Sequence, residues 1–156
     1  MRTVAVLRSA GFTLVELMVT VAMLAILIAL AAPSFQSLLS GLQVSNTAFA
    51  LVSDLTLARN EAVKRGTNVQ LAPGVASDWS QGWTVSVPSP ATTLRQQAST
   101  GHGVNFLNAP ASITFGADGR STGVAVYKFN LTNGSSKNVC VSLDPSGLPR
   151  TASRAC

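Results

Sequence analysis

The sequence predicts an α+β protein: one long N-terminal helix, membrane-spanning in its first half, packed through its second half on a small antiparallel β-sheet or sandwich. Three observations predict it. Between residues 12 and 32 the only charge is Glu16. Apolar residues then recur at helical spacing as far as Ala62. After Gly66 the apolar period falls to two, and the breaks carry Gly, Pro, Asn and Asp.

The apolar run, closed by Pro33, has about 20 residues, enough for a helix to cross a bilayer core of roughly 30 Å. Arg2 and Arg8 precede it, and such a basic flank favours keeping the first residues in the cytoplasm. A secretory signal peptide is the rival reading. It has a shorter apolar core and a small-residue cleavage site, for which residues 29–32 would serve. Here the core is too long, and Glu16 goes unexplained. A carboxylate inside a membrane helix costs on the order of 2.5–3.5 kcal/mol on insertion scales, and a group that costly usually has a partner. An ordinary single-span anchor, with Glu16 reaching back to the interface, is the bland alternative.

Helix is expected from about Phe12 well past Pro33, which removes one helical hydrogen bond and kinks the rod rather than ending it. Phe35, Leu38, Leu39 and Leu42, then Ala48, Leu51, Val52, Leu55, Ala58 and Ala62, form a stripe expected to lie on a folded domain. The opposite face is assigned Asp54, Arg59, Glu61, Lys64 and Arg65. Gly41 and Ser45-Asn46 weaken the middle of the rod. Gly66, after two basic residues, is a helix stop.

Strands are expected over 68–72, 82–87, 93–97, 104–107, 112–115, 124–130, 138–143 and 148–151. Turn residues separate them, and Asn133-Gly134 is the strongest hairpin signal. About 90 residues follow the helix, room for one small domain.

The net charge is +5; without Arg2 and Arg8, nine basic side chains face six acidic ones, leaving +3. That is weak evidence for nucleic acid and fits equally a protein near anionic lipid. The sole histidine, His102, lies between two glycines and reads as an exposed loop residue. No Ser-His-Asp set, carboxylate pair or phosphate-binding glycine loop is evident, so no enzyme and no cofactor is expected. Cys140 and Cys156 have three readings: a disulfide, two free thiols or a metal pair. A bridge would contribute roughly 3 kcal/mol in the chain-entropy model and pin a fraying terminus. Two cysteines without a nearby histidine make a poor zinc site. Trp79 and Trp83 read as packing at a strand start, with an exposed contact for a neighbouring subunit as the alternative. Asn130-Leu131-Thr132 matches a glycosylation sequon without further support.

Gly11-Phe12-Thr13-Leu14-Val15-Glu16, its basic leader and its apolar helix resemble the N-terminal signature of type IV pilins and type II secretion pseudopilins. The resemblance implies a leader at 1–11, cut after Gly11 by a prepilin peptidase. It implies a methylated Phe12 at the new N-terminus, and Glu16 as the assembly carboxylate that meets a neighbouring subunit's amine. The remaining divisions would be a transmembrane and assembly helix at 12–33, a stalk at 34–66 and a periplasmic β domain at 67–156. The implied partners are other minor and major pilins or pseudopilins and the lipid of the bacterial inner membrane.

Within that family, the segment from Ala58 to Gly66 (Ala-Arg-Asn-Glu-Ala-Val-Lys-Arg-Gly) resembles the helix end of the FimT/FimU and GspH group. Trp79 with Gly82-Trp83, and Phe115 with Asp118-Gly119-Arg120, are similar to two of its later segments. The implied function is a structural minor pilin or pseudopilin of a type IV pilus, with a GspH-type subunit of a type II secretion system as the alternative. Some FimT-like pilins bind DNA through a C-terminal Gly-Arg-x-Arg tail. Here the tail reads Gly-Leu-Pro-Arg with Arg154 four residues on, and the first arginine of the pattern is missing. Arg150 and Arg154 are the residues that such a phosphate contact would use, and a solvated basic tail is the competing reading.

Overall fold

A computed structural model of the chain describes residues 11–75, 77–101, 103–123, 126–134 and 137–156. The chain divides into two compact units, one ending at Gln36 and one running Ser37–Cys156. The leader residues 1–10, His102 and the first residues of the strand expected at 124–130 lie outside the described residues.

A single helix, α1, runs Leu14–Arg65 over 52 residues, with Pro33 inside it. Thr13 caps its start. The Glu16 amide donates to the Thr13 hydroxyl at 3.2 Å, and the Leu17 amide to the Thr13 carbonyl at 3.2 Å. The Thr-x-x-Glu spacing is that of a capping box, and it puts an acid in the first turn, where the helix dipole favours it. The end is a Schellman closure. The Gly66 amide donates to Val63 and the Thr67 amide to Ala62, each at 3.3 Å, so two last-turn carbonyls are satisfied.

In the unit that begins at Ser37, packing of the helix starts later than the sequence suggested. Leu38, Leu39 and Leu42 are exposed, as is Phe35 before them; the buried stripe opens at Val44 and continues through Ala48, Leu51, Leu55, Ala58 and Ala62. Two residues assigned to the polar face also move. Asp54 is fully buried, and Arg59 is half-buried beside the turn at Gly119. The reason is periodic: Asp54 stands three residues after Leu51 and four before Ala58, on the core-facing side of the wheel.

The strands are β1 (Val69–Val75), β2 (Asp78–Pro88), β3 (Ala91–Gln97), β4 (Asn105–Leu107), β5 (Ile113–Phe115), β6 (Ser121–Thr122), β7 (Tyr127–Thr132), β8 (Asn138–Leu143) and β9 (Pro149–Ala152). They make two antiparallel sheets, ordered β3-β2-β1-β5-β6 and β4-β7-β8-β9. Strand β6, two residues long, has no period to read. The hairpin expected at Asn133-Gly134 forms between β7 and β8, but the register closes Thr132 against Asn138. The turn therefore spans 133–137, not two residues. Asn133 organises it: its side-chain oxygen takes the Lys137 amide at 3.0 Å, and its amide nitrogen donates to the Ser40 hydroxyl of α1 at 3.1 Å.

Helix and sheets share one core. Trp79 and Trp83 of β2, both buried, lie among Phe106 of β4 and Phe129 of β7, with Trp79 meeting Phe129 edge to face at 4.8 Å between ring centres. The tryptophans are core residues, not a surface contact, and the Trp79 indole nitrogen donates to the Pro110 carbonyl at 2.7 Å. Cys140 and Cys156 form a disulfide that ties the tail back onto β8. Asn130, the sequon asparagine, sits inside β7 and is half-buried.

Candidate assembly interface

Exposed apolar helical surface is the first feature to explain. Every described residue from Gly11 to Leu39 is exposed. The side chains include Phe12, Leu14, Leu17, Met18, Met23, Ile26, Leu27 and Leu30. A monomer in water does not keep an apolar surface of this extent; it is covered by lipid or by other protein. The helix is long and apolar enough to cross a membrane. Glu16, in its first turn, is the single charge in that stretch.

Of the candidate site residues, Cys140 and Cys156 are brought together in a disulfide. Gly11 and Phe12 are exposed ahead of the helix, a geometry open to a processing enzyme. Arg150 and Arg154 are exposed near the end of the second sheet. Arg150 faces Asp144, its Nε 3.8 Å from the carboxylate, and both groups are solvated, so the pair adds little to stability. The Ser146 hydroxyl and amide beside Asp144, with Arg150 a smaller influence, hold that carboxyl below the usual carboxylate range. Glu61 is lowered in the same direction, chiefly by its hydrogen bond from Arg65 at 2.6 Å.

Two polar junctions that the sequence did not single out hold the β domain on the helix. In the first, the buried Asp54 carboxylate accepts from the Trp83 indole nitrogen at 2.8 Å. Its other oxygen lies 3.0 Å from Arg95 Nε of β3, an ion pair off the direction of an aligned hydrogen bond. One side chain of α1 thus reaches two strands of the first sheet. In the second, Arg59 Nε donates to the Gly119 carbonyl at 3.1 Å. A side chain on Gly147 would meet that same carbonyl at 2.2 Å and the Arg59 stem at 3.2 Å. The turns at 116–119 and 144–147, one from each sheet, therefore close against a single arginine. The matching signal was there: Arg59 and Gly119-Arg120 both belong to segments that carry the family resemblance.

The description "Type II transport protein GspH" matches residues 47–147, and the prokaryotic N-terminal methylation motif matches residues 7–32. The chain belongs to the GspH family. This GspH-family protein is a minor pilin or pseudopilin, a structural subunit and not an enzyme, anchored by its apolar helix. Membership implies processing by a prepilin peptidase and assembly with other pilin-type subunits. No curated protein matches in sequence. Two crystal forms of the type IV minor pilin FimU of Pseudomonas aeruginosa PAO1 share the fold. They have TM-scores of 0.64 and 0.61 at 21% identity, cover 72% of this chain, and are themselves covered to 92% and 96%.

Proposed function

We propose that this GspH-family chain is a minor pilin of a type IV pilus, incorporated into the filament or priming its assembly. Its precursor is cut after Gly11, and Phe12 becomes the methylated N-terminus. The apolar helix first holds the subunit in inner-membrane lipid, with the β domain in the periplasm, and later enters a bundle of like helices. Pro33 gives that helix a place to bend on docking. Glu16, costly in lipid, gains a partner when it meets a neighbouring subunit's terminal amine, which favours docking and sets the axial register. The observation that supports this most is the methylation motif running into a helix whose side chains are exposed as far as Leu39.

The alternative is a pseudopilin of a type II secretion system, favoured by the family description itself. Mass spectrometry of the mature chain and a deletion strain scored for piliation, secretion and DNA uptake test both. The proposal expects a mass beginning at methylated Phe12, and loss of pili with secretion intact. Loss of secretion alone moves the subunit to the other machine. A mature chain beginning beyond Pro33 overturns both. A salt-sensitive mobility shift that disappears in Arg150→Ala with Arg154→Ala would make it a DNA receptor instead.

A further inference from the structure

A cleft lies between α1 and the segment that follows β3. Its cavity of about 360 Å³ is bordered on the helix by Gln43, Asn46 and Thr47, which share one face, and across from them by Gln97, Ser99 and Thr100. A second cavity, of about 380 Å³, shares Ser99 with the first and is bordered by Ser80, Gln81, Gly103 and Asn105. The Gln43 side-chain oxygen comes within 3.7 Å of the place that a Cβ on Gly103 would take, so the helix reaches the rim of both. Each volume falls in the range of small-ligand sites, roughly 300–1,000 Å³.

The lining restricts the ligand. Among the described residues no Lys, Arg, Asp or Glu borders either cavity, so an ionic ligand finds no counter-charge there. The polar side chains are amides and hydroxyls. Thr47 is only 8% exposed, yet its hydroxyl has no hydrogen-bond partner among the described residues. Elsewhere in α1 the Ser45 and Thr56 hydroxyls donate to the carbonyl four residues back, at 3.2 and 2.8 Å. Thr47 lacks that bond. A buried hydroxyl left unpaired costs free energy, and a ligand in the cleft would supply its partner. Ser99 and Thr100 are set the other way. Their hydroxyls donate to the Ser80 carbonyl at 3.0 and 3.1 Å, so towards a ligand they can only accept. The side-chain amides of Gln43, Asn46 and Gln97, also without partners among the described residues, can both donate and accept.

We infer that this cleft binds a neutral oligosaccharide. Every sugar hydroxyl both donates and accepts, which matches a rim of amides and fixed acceptors, and a neutral glycan needs no counter-charge. Two joined cavities suit a short chain of sugars rather than a single ring. An extended peptide also alternates donors and acceptors, but it adds to a strand edge through backbone groups. Here side chains on both walls offer the polar groups. The Thr47 hydroxyl is then kept unpaired in the free protein because the bound sugar completes it. The inference is independent of the machine in which the chain assembles.

The test applies the full chain, in a detergent without a sugar headgroup, to an array of immobilised neutral, sialylated and sulfated oligosaccharides. Retention on neutral glycans is expected, with no gain from the anionic groups. Thr47→Val keeps the shape and removes the unpaired hydroxyl. It should weaken that retention about tenfold while the thermal midpoint stays at or above the parent's, whereas a hydroxyl needed for the fold would lower the midpoint. Gln97→Ala, on the opposite wall, should weaken retention as well. An array without a retained neutral glycan, retention on anionic glycans alone, or parent-level retention of Thr47→Val would overturn the inference. A photo-crosslinking residue at position 97 that joins polypeptide in the host while the array stays empty would mark a peptide cleft and overturn it too.

Discussion

Two stretches of one helix obey different rules. Residues 14–36 are mostly apolar and exposed along their whole length; residues 44–62 are apolar on one side and bury that side. In the second stretch the chain supplies its own solvent-free environment, so its side chains set the stability of the domain. In the first the environment comes from outside, so its side chains set where the molecule can reside. The difference teaches that hydrophobicity alone does not mark a core: the period does.

Paired truncations would break or sharpen that contrast most directly. Leu55→Ala, at a fully buried position, should cost about 2–5 kcal/mol in thermal or denaturant unfolding in detergent. Leu27→Ala, at a position 63% exposed, should stay within about 0.5 kcal/mol. Equal losses would mean that the two stretches are not distinct. Next in size is Asp54→Ala, which leaves the Trp83 N–H buried without an acceptor and should cost about 2 kcal/mol. Asp54→Asn keeps an acceptor for Trp83 and should recover most of it, whereas Arg95→Ala, at a half-exposed partner, should cost less. Smallest is a pH effect. The folded Asp144 carboxyl holds its proton less tightly than in the unfolded chain. It therefore adds stability above the ordinary carboxylate range and loses that contribution as pH falls through its lowered value. Urea melts from neutral to acid pH should be slightly flatter for Asp144→Asn, with no change expected at the acid end.

Most of the architecture was legible because helix and strand leave different periods. The helix from near residue 13 to Arg65, its stop at Gly66 and the sequences of β1 to β5 and β7 to β9 all follow from apolar spacing and turn residues. What was not legible depends on contacts distant in sequence. Asp54 was placed in water because it is charged, although its position between Leu51 and Ala58 put it on the buried side. Its justification, Trp83 and Arg95, lies 29 and 41 residues away. Leu38 and Leu42 were assigned to the domain because they are apolar, although the stripe that meets the sheets begins at Val44. Asn133 looked like a two-residue turn because its reach to Lys137 and Ser40 cannot be seen locally. The disulfide was one of three readings until the fold brought Cys140 and Cys156 together.

Gly147 has a consequence for how such chains diverge. With a positive φ of 77° and no room for a methyl group against Gly119 and Arg59, that corner does not tolerate a larger residue. Novelty in what the β domain recognises must then accumulate elsewhere, in the connections that leave the corner undisturbed. Lineages that drift apart in partner choice should keep this knot of one arginine and two glycines as their common inheritance.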